Sequence, residues 1–347
     1  MPTTLITAYA PVLIADTSVM SRDEWLELRR KGIGGSDAAA ALGLSPYCTT
    51  RELFYDKTGV KPAAEDETNW VAKEVGNLLE DLVAQIFSMK TKLKVTKAQK
   101  MYAHPLYPFM LADPDYIVEM PDGTNALLDC KTGNYNTQDK WADGTLPVHY
   151  ELQGRHYMSV MNINTIFFAC LFGNNENEFV YRRIDRDMDY ESEIIAQEKY
   201  FWNEYVLKNI EPPYTEDGDM VIKSIKRHYG KGDKSAEAVE FSEEFSRTLD
   251  KIIELREQKL DHDHKSKALE NEMKKLYAPI IDIMGVSCDG KCVSGNTAYI
   301  VSYKPSYRKD IKKEDLERLE KLRPDIYGEY AGITEFRTFS VTKKEIA

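Results

Sequence analysis

The chain has 347 residues, 42 % of them hydrophobic and 11 % aromatic, and a formal net charge of −11 at pH 7. That length holds one large α/β domain with an appendage, or two domains, and that apolar content allows a packed core, so disorder is not the default. The acidic balance argues against a protein that coats nucleic acid, and no apolar run reaches the ~20 residues of a helical membrane span.

The opening stretch, MPTTLITAYAPVLIADTS, lacks a basic segment ahead of an apolar core and carries Pro2 and Pro11. It reads as extended chain rather than a signal peptide, which makes the cytoplasm the expected location. Ser21 and Glu24 form a capping-box pattern ahead of the helix EWLELRRK. GIGGSD interrupts, and Ser36 or Asp37 is placed to cap a second helix, AAAALGL, ending before Pro46. RELFYDKTG is a third short helix with Gly59 at its C-terminal end. Over residues 70–89, Trp70, Val71, Val75, Leu78, Leu79, Leu82, Val83 and Ile86 recur at spacings of three and four, predicting an amphipathic helix.

Strand-like runs follow: KLKVTKA, FMLADPDYIVEM and ALLDCKTG, the last two flanking the turn-rich PDGTN. Next come the helix HYELQGRHYMSVMN, the strands TIFFACLFG and EFVYRRI, and the helix DYESEIIAQEKYFWNEYVLKNI. This order predicts a mixed sheet covered by helices, with a domain over 1–215 and a C-terminal region over 216–347. In that region, residues 236–280 read as charged helix, which DHDHKS (261–266) could divide in two. The tail, 281–347, reads as small and β-rich, with KCVSGNTAYIVSYK and EFRTFSVT as strands around a short helix. His262 and His264 are expected to be solvated, and the five cysteines, without zinc-ligand or iron–sulfur spacing, to be reduced structural thiols. Two lysine-rich runs, 89–100 and 222–234, offer local basic tracks on an acidic protein.

The chemistry concentrates in LADPDYIVEMPDGTNALLDCKTG. If residues 115–120 and 126–131 pair as a hairpin about Gly123, residue 115 faces 131 and 117 faces 129. Asp113, Asp115, Asp129 and Lys131 then project from one face. A one-residue slip would split them across two faces. Several carboxylates on one face repel unless a cation sits among them, and two or three suit a hard ion such as Mg²⁺ or Mn²⁺. A lysine beside such an ion can orient or help deprotonate a water, or stabilise charge on a phosphorane, which makes the set a phosphodiester-hydrolysis kit. The same residues also fit an ordinary turn and an exposed strand with a surface ion pair. Glu80, flanked by Gly76 and Ala84 on the 70–89 helix, and Gln153, on the helix after the hairpin, could join the set if both helices pack near it. RRKGIGGSD is no nucleotide-binding P-loop, since no G-K-[ST] follows. Its glycines, Ser36, a helix N-terminus and the upstream Arg29 and Arg30 together suit a phosphate.

WLELRRKGIGGSDAAAALGLSPY, TRELFYDKTG, GNLLEDLVAQIF, DPDYIV with LLDCKTG, and ELQGRHYM occur in the order seen in YqaJ-like viral recombinases. Over roughly residues 18–210 the chain resembles that family, relatives of lambda exonuclease in the PD-(D/E)xK nuclease superfamily. The resemblance implies an α/β restriction-endonuclease-like core, a mixed central sheet flanked by helices, with a helical and small β appendage after it. It implies Mg²⁺- or Mn²⁺-dependent 5′→3′ digestion of linear double-stranded DNA, leaving 3′ single strands for a single-strand annealing protein. A phage or prophage origin in a bacterial host and a ring-like homo-oligomer, such as a trimer, are further implications. Residue by residue, Asp115 and Asp129 fit the metal-binding acids, Asp129 standing where many relatives have Glu. Lys131 fits the lysine, Glu80 the acid of the preceding helix and a third metal ligand, and Gln153 the glutamine of the following helix. Arg30, or Arg29, with Ser36 looks like the pair on the terminal 5′ phosphate, and Asp113 falls outside the pattern. An endonuclease or single-strand nuclease built on the same site, or a non-enzymatic DNA-end-binding recombination accessory protein, are the alternatives.

Overall fold

The computed structural model describes residues 9–63, 70–294, 297–307 and 313–330. The chain forms two compact units, Met1–Lys231 and Gly232–Ala347. The first begins with β1 (Val12–Asp16) and the helices α1 (Arg22–Arg30), α2 (Gly35–Ala41), α3 (Thr50–Lys57) and α4 (Trp70–Thr91). The strands β2 (Lys94–Lys97), β3 (Lys100–Ala103), β4 (Leu111–Ala112), β5 (Tyr116–Glu119) and β6 (Asn125–Gly133) follow. Then come α5 (Val148–Met161), β7 (Thr165–Phe172), β8 (Phe179–Asp185), α6 (Met188–Tyr200) and α7 (Gly218–Tyr229).

The main sheet has the order β2-β5-β6-β7-β8, antiparallel except for the parallel pair β6–β7, whose crossover carries α5. It is the expected mixed sheet. Every residue of β7 is buried, as its unbroken run TIFFACLF suggests for a central strand. Alternation divides the sheet into two cores. Ala126, Leu128, Phe167, Ala169 and Leu171 pack on Val83, Ala84 and Phe87 of α4. Leu127, Ile166, Phe168 and Phe172 pack on Tyr157, Met158 and Met161 of α5 and Ile195 of α6. A second antiparallel sheet, β1-β3-β4, contains the start of the run read as one strand, FMLADPDYIVEM, so that run is divided between two sheets at Asp113–Asp115.

Several expectations shift. The α1 capping box is present, with Glu24 N–H donating to Ser21 Oγ at 3.3 Å and Ser21 N–H to Glu24 at 2.8 Å. For α2 the cap is Gly34 rather than Ser36 or Asp37, and Asp37, in the first turn, accepts from Gly34 N–H at 3.0 Å. In α4 only Val83, Ala84, Ile86 and Phe87 are buried. Trp70, Val71, Val75, Leu78 and Leu82 are exposed, so the apolar core contact of α4 lies in its C-terminal half. The first unit also continues past 215. Glu216 accepts from Thr50 N–H at 2.6 Å, Ser224 meets Thr49 at 3.1 Å, and Arg227 pairs with Glu52 at 2.6 Å. In the lysine-rich run 89–100, Lys90, Lys94 and Lys97 are engaged by Glu176, Glu119 and the Glu80–Asp81 pair, which leaves less of a basic track than the sequence suggests.

The second unit holds α8 (Ser246–Met284), the hairpin β9 (Asp289–Ser294) and β10 (Thr297–Ser302), and α9 (Lys313–Leu322) and α10 (Pro324–Tyr330). No break occurs at DHDHKS, a stretch without Gly or Pro, where Lys265 and Asp261 pair at 2.5 Å one turn apart. His262 and His264 are exposed there, as expected, and EFRTFSVT lies outside the described residues. None of the five cysteines forms a disulfide.

Candidate active site

The β5–β6 register is the pivot. Tyr116 opposes Leu128 and Ile117 opposes Leu127, a register that, extended one residue beyond β5, sets Asp115 opposite Asp129. This is two residues from the expected register. An even shift preserves the face, so Asp115, Asp129 and Lys131 still share the side covered by α5. Asp115 is tied to β6 directly, one carboxylate oxygen accepting from Cys130 N–H at 2.9 Å.

From α5, Gln153 closes the set. Its amide N–H donates to Asp129 Oδ2 at 2.7 Å, and its carbonyl accepts from Lys131 Nζ at 3.2 Å. Lys131 also pairs with Asp129 Oδ1 at 2.6 Å and lies 5.0 Å from the centre of the Tyr150 ring. Asp129 is 2 % exposed and Gln153 7 %. Burial opposes the charge on Lys131, but Asp129 and Asp115 outweigh it and hold the ammonium well above its ordinary value. Burial, reinforced by Asp129 and opposed by Lys131, raises the Asp115 carboxyl well above the carboxylate range. Burial also raises Asp129, against the pull of Lys131. One ammonium thus faces two buried carboxylates, with Glu80 adding to the negative field at Asp115. An all-oxygen donor set short of positive charge suits a hard divalent cation. Asp115 and Asp129 would hold it.

Glu80 stands apart from the expected ligand set. Its carboxylate pairs with Lys97 at 3.3 Å. Among the described residues, no three His, Cys, Asp or Glu side chains are gathered at metal-binding separations. The small neighbours of Glu80 have other surroundings, since Ala84 is core and a Cβ on Gly76 would meet only Thr132 Oγ1, at 3.7 Å.

The RRKGIGGSD loop lies beside this centre, and Arg29 rather than Arg30 is the arginine that meets Ser36. The Arg29 guanidinium bonds Ser36 Oγ at 2.6 Å and Asp37 at 3.2 Å, and sits 4.9 Å from the Trp25 ring centre. Its Nε is buried without a hydrogen-bond partner. Arg30 turns away to Glu27 at 2.5 Å and Asp56 at 3.2 Å, and so does not join Ser36. Gly34 permits the arrangement, because a Cβ there would lie 2.9 Å from Arg29 Nη2. Asp37 is shared with Lys57 at 2.8 Å, whose side chain is buried. Asp113, outside the resemblance, is held by Trp25 Nε1–H at 3.2 Å and Tyr157 O–H at 3.1 Å, and burial raises its carboxyl against the pull of Arg29.

Tyr157 joins the two halves. Burial, then Asp113, Asp129 and Asp115, raise its hydroxyl well above the ordinary value, and its ring is so close to Gly35 that a Cβ there would come within 2.4 Å. Sequence reasoning missed Tyr157, and also His149 and Tyr150 beside Lys131. The available signal was helical: His149, Gln153 and Tyr157 stand at i, i+4 and i+8 of α5, one stripe facing β6.

The YqaJ-like viral recombinase domain matches residues 24–164. The uncharacterized protein YqaJ of Bacillus subtilis (strain 168) is 31 % identical over 338 residues, covering 96 % of this chain and 98 % of that protein. Among solved structures, the alkaline exonuclease LHK-Exo from Laribacter hongkongensis superposes with a TM-score of 0.45 at 21 % identity, over 59 % of this chain and 98 % of its own. A phage-related exonuclease from Haemophilus somnus 129PT gives a TM-score of 0.38 at 12 % identity, over 53 % and 99 % of the two chains. With nearly the whole chain matched by the Bacillus protein and the site residues inside the family match, the chain belongs to the YqaJ-like viral recombinase family.

Proposed function

We propose that the chain is a divalent-metal-dependent deoxyribonuclease, with Mg²⁺ or Mn²⁺ as the ion, that digests linear duplex DNA 5′→3′. The 3′ single strands it leaves would pass to an annealing protein, in keeping with a viral recombinase family. The observation that carries this reading is the single-faced set Asp115, Asp129, Lys131 and Gln153, joined through Tyr157 to Arg29 and Ser36.

The chemistry a bound ion supplies is a water of lowered pKa and neutralisation of charge on the phosphate. Asp115 and Asp129 provide the oxygens for it, and Glu80 joins them if Lys97 releases its carboxylate. Gln153 fixes both Asp129 and Lys131 through one amide. Lys131 is held as a cation by its carboxylates, so it stabilises charge developing on the phosphate and orients the attacking water. Arg29, with Ser36 at hand, receives the 5′-terminal phosphate. This end-binding group favours exonuclease over endonuclease action. As for the relatives suggested by its sequence, a homo-oligomeric ring would keep such an enzyme on its substrate.

Linear duplexes with 5′-phosphate or 5′-hydroxyl ends, and a closed circle, are incubated with Mg²⁺ or with EDTA. Mononucleotide release from linear DNA alone, faster with the phosphate and absent with EDTA, is expected. Cutting of the circle would replace the reading with an endonuclease, and no metal-dependent hydrolysis would leave a DNA-end-binding protein.

A further inference from the structure

Beside Lys131 lies a half-open cavity of about 190 Å³ that the proposed chemistry does not use. Thr132, next to Lys131 on β6, and Tyr150, whose ring holds the Lys131 ammonium at 5.0 Å, form its inner wall. The His149 ring lies 4.1 Å from Tyr150, and Tyr47 meets His149 edge-on at 5.3 Å. His149 belongs to the stripe of α5 that faces the carboxylates, and Tyr150 touches Lys131, so the cavity lies on the flank of the reacting centre.

Its chemistry is selective. The lining has one cation, Lys140, and no carboxylate, which suits neither a phosphate nor a second metal ion. The rings of Tyr47, Trp141, His149, Tyr150 and Phe172 make up part of the walls, with the polar groups of Asn134 and Thr137 among them. His149 Nε2 is buried and has no hydrogen-bond partner. Native proteins rarely leave such an atom unpaired. Burial, aided by Lys131 and Lys140, pushes the imidazole down to about 4, so the ring is neutral and offers one donor and one acceptor. A neutral, flat ligand with hydrogen-bonding edges matches all of this, and an alkyl chain would waste the polar atoms.

We infer that this cavity receives the nucleobase of the nucleotide being released, held among the rings of Tyr150, His149 and Tyr47 with the polar groups of Asn134 and Thr137 at its edge. The inference rests on the nuclease reading for its ligand. Because every base has a π-face, such a site grips all four bases and senses chiefly whether a base is present. It would hold the scissile nucleotide in register while Arg29 and Ser36 hold the terminal phosphate.

Two measurements test this on the full chain. In the first, histidine imidazole resonances are followed by NMR without divalent metal, the His149 signal being identified by its loss in His149→Gln. Deoxyadenosine 5′-monophosphate is expected to shift that signal, and 2-deoxyribose 5-phosphate at the same concentration to leave it in place. Equal response to both, or to neither, overturns the inference. In the second, 5′-phosphorylated duplexes carry a normal or an abasic terminal residue. Wild type is expected to lose about tenfold in kcat/KM on the abasic end. His149→Ala is expected to lose a similar factor on the normal end and little more on the abasic one, with His149→Gln recovering part. Equal wild-type rates on both ends, or the same loss in His149→Ala on both, refute it. If no DNA is digested under any metal condition, the nuclease reading fails, while the metal-free titration still decides the cavity.

Discussion

His156→Ala would remove the cation from a pair in which neither partner touches solvent. His156 Nδ1 lies 2.8 and 3.0 Å from the two Glu198 oxygens, and Nε2 lies 2.8 Å from the Leu111 carbonyl oxygen; both side chains are 0 % exposed. Both ring nitrogens face acceptors, so both carry protons. Burial opposes that charge, but Glu198 and the Leu111 carbonyl outweigh it and raise the imidazole above its ordinary value. Truncation leaves Glu198 buried without its counter-ion and Leu111 without a donor, a loss of about 3–5 kcal/mol. Urea unfolding at about pH 6 measures it through tryptophan fluorescence. All four tryptophans, Trp25, Trp70, Trp141 and Trp202, lie in the unit that contains the pair. The sign of the pH effect follows from a folded value above the unfolded ~6.5. The contribution is complete below about 6.5 and is lost as pH rises through the folded value, so the gap between wild type and variant narrows upward from there. A gap under ~1 kcal/mol at pH 6, or one that widens with pH, would refute a charged pair. Replacing both residues with leucine should recover most of the loss, since an apolar pair leaves no stranded charge.

Lys131→Ala should lower turnover about a hundredfold or more while duplex binding in a gel-shift assay changes little, since the ammonium stabilises charge at the phosphate; near-normal turnover would remove it from the mechanism. Arg29→Ala should erase the preference for 5′-phosphorylated ends, and Arg30→Ala should leave it within about twofold because Arg30 is occupied by Glu27 and Asp56. The reverse result would mean that the guanidiniums exchange places on DNA. Gly35→Ala should destabilise the first unit by about 1–3 kcal/mol, because the new Cβ meets the Tyr157 ring at 2.4 Å; an unchanged melting curve would show that Tyr157 can move aside.

The legible parts of the sequence were those governed by parity and local periodicity. The hairpin register could be wrong by two residues without moving Asp129 or Lys131 to the other face, because side chains alternate with period two. Arg29 and Arg30 show the opposite case. On a helix, neighbours point about 100° apart, and only the packing of Trp25 on Arg29 and the closeness of Gly34 decide which one reaches Ser36. Glu80 lies between these cases. Its position on α4 follows from periodicity, but its partner, Lys97, comes from β2, a strand whose distance from the helix is a tertiary fact. The same limit applies to the apolar stripe of α4: the spacing predicts the helix, but which part of the stripe is buried is a tertiary fact.

Residue 153 shows how tightly α5 and β6 constrain each other. Its side chain must donate to Asp129 Oδ2 at 2.7 Å and accept from Lys131 at 3.2 Å, from a position only 7 % exposed. A carboxylate there would accept from the lysine but add a third buried anion beside Asp115 and Asp129, both already raised by burial. A lysine or arginine would donate to Asp129 but repel the ammonium that the chemistry needs. An amide alone satisfies both partners without altering the charge, and so leaves the deficit of one cation at Asp115 and Asp129 for an ion to fill. The glutamine is therefore tied to the metal reading: it makes sense as a spacer that keeps the lysine and the carboxylates in place without neutralising the field between them.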